Sequence, residues 1–155
     1  PIERLSVRLE RGIDRTTALF EGIKEDQWGV VLYREPYPWT VRDLLAHFLS
    51  AEEGLLRIAQ NVAGGGPGAP PGLDYDAFNA AEQERLEDIP PERLLTELDR
   101  ARARTIAWVK GLAREDLDRI GRHPALGEIS LKDLINVFHG HQLMHLRDLK
   151  AVLSS

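Results

Sequence analysis

The amino-acid sequence predicts an all-α protein, a four-helix bundle formed by a single domain over residues 1–155. Apolar residues recur at intervals of three and four through four long segments, which is the period of one face of an α-helix. Residue types that cap helices precede two of these segments, and clusters of Gly and Pro lie between them. A chain of this length is also long enough to bury one hydrophobic core.

The N-terminal half predicts two helices joined by an extended connection. The first helix ends near Gly22. Its apolar face consists of Ile2, Leu5, Leu9, Ile13, Thr16, Phe20 and Ile23. The segment from Gly29 to Pro38 has β-branched residues, two prolines and no helical period, so we expect it to be extended. Thr40 then caps the second helix, and Asp43 takes the place of the usual Glu of a capping box. The apolar face of this helix consists of Val41, Leu44, Leu45, Phe48, Leu55, Ile58 and Val62.

The C-terminal half predicts a long crossover that contains a broken third helix, followed by a fourth helix. Breaker residues from Gly64 to Gly72 begin the crossover, and a short helix covers Asp76 to Leu86. The sequence IPPE interrupts it, and Pro91 stands in the first turn of the next segment, where its missing N–H is harmless. The apolar face of that segment consists of Leu94, Leu95, Leu98, Ala101, Thr105, Trp108 and Leu112.

The last helix begins after Ser130, which caps it, and Asp133 stands three residues further on. Its stripe consists of Leu131, Leu134, Phe138, His141, His145, Asp148 and Val152, so the second half of the stripe is polar.

Composition and charge exclude several classes of protein. The formal net charge is −5 and basic residues are scattered among acidic ones, so we expect no nucleic-acid partner. The absence of cysteine excludes disulfides, Cys-ligated metal and a thiol nucleophile. No apolar run approaches the ~20 residues of a membrane span, and the charged start is not a signal peptide. We therefore expect a soluble, cytoplasmic protein with no membrane partner, and a homodimer is compatible with the sequence.

The histidines of the last helix suggest a metal site. His141 and His145 are four residues apart and lie on one helical face, where two imidazoles can reach one ion. His47 follows Leu44 by three residues and can supply a third ligand from the second helix. Neutral imidazole suits Zn, Ni, Cu or Fe(II) better than Ca or Mg. A second interpretation stays open, because a histidine on an apolar face is often a hydrogen-bonded core residue.

Other histidines and other metal motifs are less consistent with a site. His139 lies about 200° around the helix from His141, outside a shared ligand set. His123 precedes Pro124 in an expected loop, where we expect it to be solvated. The segment HQLMH lacks the glutamate of the HExxH motif, and the chain has no Glu-x-x-His pair for a di-iron site. A mononuclear three-histidine site is the metal centre that remains.

Two blocks of the sequence resemble the DinB/YfiT-like superfamily of four-helix-bundle proteins. WTVRDLLAH, Trp39 to His47, resembles the family's tryptophan and Ser/Thr cap ahead of a helical histidine. SLKDLINVFHGHQLMHLRDL, Ser130 to Leu149, resembles its final helix with two ligands four residues apart. DAFNAAEQERLEDIPPERLLTEL and PALGEISL between them are also similar to the family, so the resemblance covers nearly the whole chain.

The resemblance implies an up-down-down-up bundle and one divalent transition metal, Zn, Ni or Fe, held by His47, His141 and His145 with positions open to water or substrate. It implies thiol chemistry as well, since the family includes thiol-cofactor-dependent S-transferases and a mycothiol-dependent maleylpyruvate isomerase. Where relatives often carry Gln, this chain has Asp148. That carboxylate orients His145, acts as a base, or is solvated.

The leading hypothesis is therefore a metal-dependent S-transferase that uses a low-molecular-weight thiol on a small-molecule substrate, as in detoxification. A hydrolase or lyase with a metal-activated water is the second hypothesis. A non-catalytic metal- or ligand-binding bundle is the third. An enzyme needs a path from solvent to the metal, and the glycine-rich crossover from Gly64 to Phe78 is the candidate lid. Tyr75 and Asn79 are candidate substrate- or cofactor-binding residues there.

Overall fold

The computed structural model describes residues 1–155 and contains five α-helices. Their bounds are α1 Ile2–Glu21, α2 Val41–Ala63, α3 Tyr75–Arg85, α4 Pro91–Lys110 and α5 Leu131–Leu153. The four long helices form the bundle, and α3 lies in the crossover between α2 and α4, where it packs against α2. The prediction of a bundle with a broken third helix is therefore confirmed. No helix is long and apolar enough to cross a membrane.

Two clusters of buried apolar residues establish the direction of each long helix. One cluster joins the C-terminal ends of α1 and α5 to the N-terminal ends of α2 and α4, with Phe20 and Leu149 against Val41 and Leu94. The other joins the opposite ends, where Leu5 and Leu131 pack near Val62 and Val109. Since α1 and α5 run one way and α2 and α4 the other, the topology is up-down-down-up, as the family resemblance implies.

Helix boundaries follow the predicted caps. The Thr40 hydroxyl accepts a hydrogen bond from the Asp43 N–H, and the Asp43 carboxylate accepts one from the Thr40 N–H. The Ser130 hydroxyl accepts from the N–H of Asp133. Pro91 is the first residue of α4, as expected. The short helix begins one residue earlier than predicted, because the Asp74 side chain caps it by accepting from the Ala77 N–H.

Two short β-hairpins occupy connections between helices. In the first, β1 (Val31–Tyr33) pairs with β2 (Trp39–Thr40), which agrees with the extended connection predicted over residues 29–38. In the second, β3 (Ile120–His123) pairs with β4 (Gly127–Ser130). The prediction that His123 lies in a loop is therefore wrong, since this residue is the last of strand β3. The sequence does not reveal the strand because four residues are too few to display an apolar period.

The buried stripe of α5 differs from the predicted stripe in its second half. Beyond Phe138 the buried residues are Gln142, Leu146 and Leu149. His141, His145 and Asp148 are only partly buried, on the adjacent edge of the helix. Gln142 is tolerated in the core because its side-chain oxygen accepts a hydrogen bond from the Thr16 hydroxyl at 3.0 Å. His141 and His145 line one cavity, and His145 and Asp148 line a second one, so these polar residues do not replace core contacts.

An ion pair that the sequence does not reveal lies inside the bundle. The Arg102 guanidinium on α4 makes two hydrogen bonds to the Glu52 carboxylate on α2, at 2.8 and 2.9 Å, and both side chains are fully buried. A third bond runs from Arg102 to the Leu9 carbonyl on α1. These bonds satisfy both buried charges and connect three helices. In the sequence, Arg102 and Glu52 are charged residues that interrupt the apolar pattern of their helices, so the pattern does not predict that they form a buried ion pair.

Candidate metal centre

Helices α2 and α5 bring the three predicted ligands together. His47 is buried in the second turn of α2, and His141 and His145 lie one turn apart in the middle of α5. The Nε2 atom of His141 is 3.0 Å from Nε2 of His47 and 3.2 Å from Nε2 of His145. One ligand nitrogen of each residue lies within 4.8 Å of the other two. The expected convergence of these three residues is therefore observed.

The distances between the ring nitrogens of this cluster, and the number of N–H protons available to bridge them, fit a bound cation. Two metal–nitrogen bonds of ~2.0–2.1 Å that meet at roughly 90–110° place their nitrogens roughly 2.8–3.4 Å apart. A single N–H of His141 can serve as donor in only one well-aligned hydrogen bond, although two nitrogens face it. The donor set therefore satisfies a divalent transition metal better than it satisfies itself.

The surroundings of the cluster keep its imidazoles neutral, the state that a metal requires. Burial, followed by repulsion from His141 and His145, lowers the pKa of His47 well below its usual value. Burial, followed by repulsion from His145 and His123, lowers the pKa of His141 to about 3. Burial also lowers the pKa of His145, and the Asp148 carboxylate partly opposes that shift. Each ring therefore offers a lone pair at neutral pH.

These shifts predict how the stability of the metal-free protein depends on pH. The unfolded chain protonates its histidines near pH 6.5 and the folded protein does not, so stability is full above pH 6.5 and falls as the pH decreases. For His141 alone, with a folded pKa of about 3, the loss between pH 7.5 and pH 5 is about 2 kcal/mol. Urea unfolding in the presence of chelator measures it. His141→Gln should flatten the profile in this window, and an unchanged slope would contradict the prediction.

Tyr33 is a site residue that the sequence analysis does not identify. Its hydroxyl donates to the Asp148 carboxylate at 2.5 Å and lies 2.8 Å from Nδ1 of His145. Because the hydroxyl's one proton points at Asp148, Nδ1 of His145 must be the donor in the second contact. The proton of His145 therefore stands on Nδ1, and the lone pair of Nε2 faces the other two histidines. Burial and then Asp148 raise the pKa of Tyr33, so the hydroxyl stays protonated.

The first hairpin brings Tyr33 to the histidines, and no sequence pattern signals this contact. Trp39 of the same hairpin packs against the His47 ring with centroids 4.7 Å apart, and Tyr33 packs edge-on against His145. Asp148, the candidate base, makes its hydrogen bond to Tyr33. Of the roles considered for Asp148, the geometry therefore favours one that acts on His145 through Tyr33.

A cavity of about 510 Å³ opens beside the three histidines. Both candidate ligand-binding residues from the sequence, Tyr75 and Asn79, line it. Apolar and aromatic side chains form much of the remaining wall, and the lining contains no Asp or Glu. A volume of this order suits a small organic molecule. The crossover contributes one wall through Pro70, Leu73, Tyr75 and Phe78.

The candidate lid is held in place by the second hairpin. The backbone of Pro67 and Ala69 pairs with Arg122 through two hydrogen bonds of 2.8 Å. Gly68 between them has φ +88°, and a Cβ there would stand 2.5 Å from the backbone N of Arg122. Only glycine fits this close approach. The crossover is therefore a fixed wall at residues 67–69.

A second cavity of about 310 Å³ lies on the other side of His145. Trp39, Asn79, Met144 and His145 line both cavities and separate them. Unlike the larger cavity, the smaller one carries carboxylates, among them Asp148. The larger cavity is thus lined by all three histidines, and the smaller one by His145 alone.

The two remaining histidines occupy different positions. His139 lies outside the cluster, as expected, in a groove against α1. That groove is also lined by Arg4, Arg8, Arg11 and Arg15, so part of the basic charge is concentrated on one face rather than scattered. His123 is half-buried at the wall of the larger cavity, so it is less exposed than the solvated residue we expected. The second hairpin folds it back over α5.

The fold and this cluster define a four-helix-bundle protein with a three-histidine site. Residues 8–149 match the model of the DinB superfamily, and the chain belongs to that superfamily. No curated protein sequence matches it.

Solved structures share the fold at low sequence identity. YfiT from Bacillus subtilis, a probable metal-dependent hydrolase with an unusual four-helix bundle topology, is 17% identical, with a TM-score of 0.78 over 97% of this chain and 85% of that one. The mycothiol-dependent maleylpyruvate isomerase is 15% identical, with a TM-score of 0.77 over 96% of this chain. The chain spans only 60% of the isomerase. The colibactin self-resistance protein ClbS, in complex with a dsDNA, is 15% identical, with a TM-score of 0.72 over 99% of this chain and 94% of that one.

Proposed function

We propose that this protein is an enzyme that holds a divalent transition metal, Zn, Ni or Fe, on His47, His141 and His145 and catalyses transfer of a small-molecule thiol to an electrophile. The observation that carries the proposal is the convergence of three neutral imidazoles on one point beside an open cavity. Three protein ligands leave coordination positions for a reactant, as catalytic sites require. A purely structural site would be closed.

The bound metal would supply a positive centre that lowers the pKa of a thiol, so that thiolate is present at neutral pH. The protein residues prepare the site for it. Tyr33 and Asp148 hold the proton of His145 on Nδ1 and leave Nε2 free. Trp39 packs against His47 and restricts its ring. The apolar wall of the larger cavity excludes water from an electrophile lying there.

Two chambers around one cluster support a reaction of two organic substrates. A transfer reaction needs room for the thiol and for the electrophile, and the two cavities meet at His145. A protein of similar fold, the mycothiol-dependent maleylpyruvate isomerase, depends on a thiol, which supports a thiol as one substrate.

Hydrolysis is the second candidate, and the description of YfiT as a probable metal-dependent hydrolase favours it. The larger cavity has no carboxylate in its lining to serve as a base for water. Asp148 is the carboxylate connected to the cluster, and it lies at the smaller cavity. A hydrolase would therefore have to bind its substrate on the polar side. A non-catalytic binding bundle, the third candidate, predicts no turnover of any substrate.

The test combines metal analysis with a substrate screen. Protein purified without an affinity tag should contain about one divalent transition metal per chain. The metal-loaded protein should consume low-molecular-weight thiols, such as cysteine derivatives, in the presence of common electrophiles, whereas His47→Ala should not. If no thiol is consumed but an ester or amide is cleaved, hydrolysis replaces transfer. If neither occurs in metal-loaded protein, the enzymatic proposal is wrong.

Tyr33→Phe should lower the affinity for metal by ~10–100-fold, because the loss of the hydroxyl frees the proton of His145 to move to Nε2. Competition with a chromophoric chelator measures the affinity. Tyr37→Phe is the matched control, since Tyr37 lies on the same connection, is exposed, and makes no side-chain hydrogen bond. Equal effects of the two substitutions would contradict the role of Tyr33.

Asp148→Asn distinguishes the two roles of the carboxylate. An asparagine oxygen can still accept from the Tyr33 hydroxyl, so metal affinity should change less than in Tyr33→Phe. If Asp148 acts as a base, the asparagine cannot replace it, so activity should fall while the metal stays bound. Metal affinity and activity that decrease together indicate that Asp148 orients His145. A loss of activity at unchanged metal affinity indicates a base.

We propose a small molecule rather than a nucleic acid as partner, in accord with the net charge of −5. The arginine groove on α1 is the surface that a phosphate backbone would use, and ClbS is similar in fold. Fluorescence anisotropy with a labelled DNA duplex at 50 and 200 mM salt tests this. Binding that weakens steeply with salt would contradict the proposal. The homodimer also stays a prediction, and light scattering would test it by measuring the molar mass in solution.

A further inference from the structure

The larger cavity has a charge pattern that the histidine cluster does not explain. Of its 20 lining residues, ten are hydrophobic, and Arg57 is the one that carries a full formal charge. No carboxylate oxygen lies within 4.0 Å of the Arg57 side-chain nitrogens. An exposed arginine on a polar surface would need no explanation. Arg57 is therefore the one full charge on this cavity, while Glu53, one turn earlier on α2, lies in a neighbouring groove and forms no ion pair with it.

His123 adds a hydrogen-bond donor of defined orientation to the same cavity. The backbone N–H groups of Ala125 and Leu126 both donate to its Nδ1, at 3.0 Å each. A ring nitrogen that accepts hydrogen bonds cannot carry a proton, so the proton stands on Nε2. Nε2 has no hydrogen-bond partner in the protein, and it is not a buried atom. The turn from His123 to Leu126 therefore fixes the ring of a cavity-lining histidine whose Nε2–H has no partner in the protein.

We propose that the larger cavity binds an apolar organic acid, whose anionic oxygen is recognised by the Arg57 guanidinium and the Nε2–H of His123 while its hydrocarbon part lies on the apolar wall. This inference rests on the proposed function, because it assigns the electrophilic substrate to the larger cavity. The pairing of one cation and one neutral donor with no acid in the lining selects against amines. A hydrogen bond to a charged group contributes more than a neutral one, so the carboxylate decides the affinity.

The chemical class is tested by binding rather than turnover. Isothermal titration of chelator-treated protein compares three ligands with the same hydrocarbon part: 4-phenylbutyrate, 4-phenyl-1-butanol and 4-phenylbutylamine. Removing metal first ensures that a carboxylate cannot gain affinity by binding it. We expect the carboxylate to bind about tenfold more tightly than the alcohol, and the amine to bind more weakly than both. Equal affinity of carboxylate and alcohol would overturn the proposal.

Substitution of Arg57 tests whether this residue causes the preference for the carboxylate over the alcohol. Arg57→Gln should remove most of the tenfold advantage of the carboxylate and leave the alcohol unchanged. Arg93→Gln is the matched control, since Arg93 is an exposed arginine outside the cavity lining. If Arg93→Gln weakens carboxylate binding as much as Arg57→Gln, the effect is general charge and the assignment is wrong. Circular dichroism of each variant verifies that the helices are intact.

Two substitutions of His123 separate its two nitrogens. In His123→Asn the side-chain oxygen can replace Nδ1 as the acceptor of the turn, while the distal donor is lost. Carboxylate binding should weaken several-fold at unchanged melting temperature. In His123→Gln a distal N–H remains, so binding should be better than in His123→Asn. If His123→Asn binds the carboxylate like the wild type, His123 is not a recognition residue.

The same titrations distinguish a failure of this inference from a failure of the proposed function. A carboxylate preference that depends on Arg57, in a protein that binds no transition metal, supports the organic-acid cavity and contradicts the metalloenzyme. A protein that binds metal and consumes thiol but does not distinguish carboxylate from alcohol supports the metalloenzyme and contradicts the organic-acid cavity.

Discussion

His141→Ala should abolish metal binding and, with it, any thiol transfer, while the bundle stays folded. The Nε2 atom of His141 is the middle member of the cluster, 3.0 Å and 3.2 Å from the other two, so its loss removes both of these short contacts and leaves two ligands only. Its ring is only partly buried beside a cavity, so truncation removes few core contacts. In the wild type, nickel or zinc should raise the melting temperature, because metal binds the assembled site and not the unfolded chain.

His139→Ala is the control for this experiment. It lies two residues away on the same helix but faces the groove against α1. The control should show the wild-type response to metal, and His141→Ala should show none. If both variants respond like the wild type, the metal binds elsewhere and the three-histidine site is wrong. Thermal unfolding with and without metal, together with far-ultraviolet circular dichroism, provides both measurements.

Arg102→Ala should destabilise the fold by about 3–5 kcal/mol, the largest effect on stability that we expect from a single substitution. The change leaves the Glu52 carboxylate buried without its guanidinium partner and removes the donor to the Leu9 carbonyl. The double variant Glu52→Gln with Arg102→Met should recover much of this loss, since it removes both buried charges. Urea unfolding measures the free energies.

Arg100→Ala is the matched control for the buried pair. Arg100 lies two residues earlier on the same helix and pairs with Glu97 at the surface, with the arginine side chain 66% exposed. Exposed pairs contribute little, so the expected change is within about 0.5 kcal/mol. If Arg102→Ala and Arg100→Ala cost the same, the buried pair does not hold the three helices together as the structure indicates.

Local signals in the sequence are sufficient to predict the helices, their caps and the residues of the histidine cluster. The capping residues Thr40 and Ser130 act within one turn, and the spacing of His141 and His145 places them on a common face without reference to the rest of the fold. His47 is identifiable because it continues the apolar face of its own helix. The meeting of His47 with the pair follows from family resemblance and is not derivable from either helix alone.

The surroundings of the cluster depend on tertiary packing and have no counterpart in any local pattern. Tyr33 reaches His145 across 112 positions of sequence, and Arg102 reaches Glu52 across 50, so no periodicity relates the members of either pair. In the second half of α5 the predicted buried stripe is displaced by one residue from the observed one. The sequence cannot distinguish a histidine that lines a cavity from a glutamine that lies in the core, because both are polar. His123 enters the site because a short hairpin folds over the helix. Contacts between distant segments depend on how whole elements pack, and local propensity carries no information about that packing.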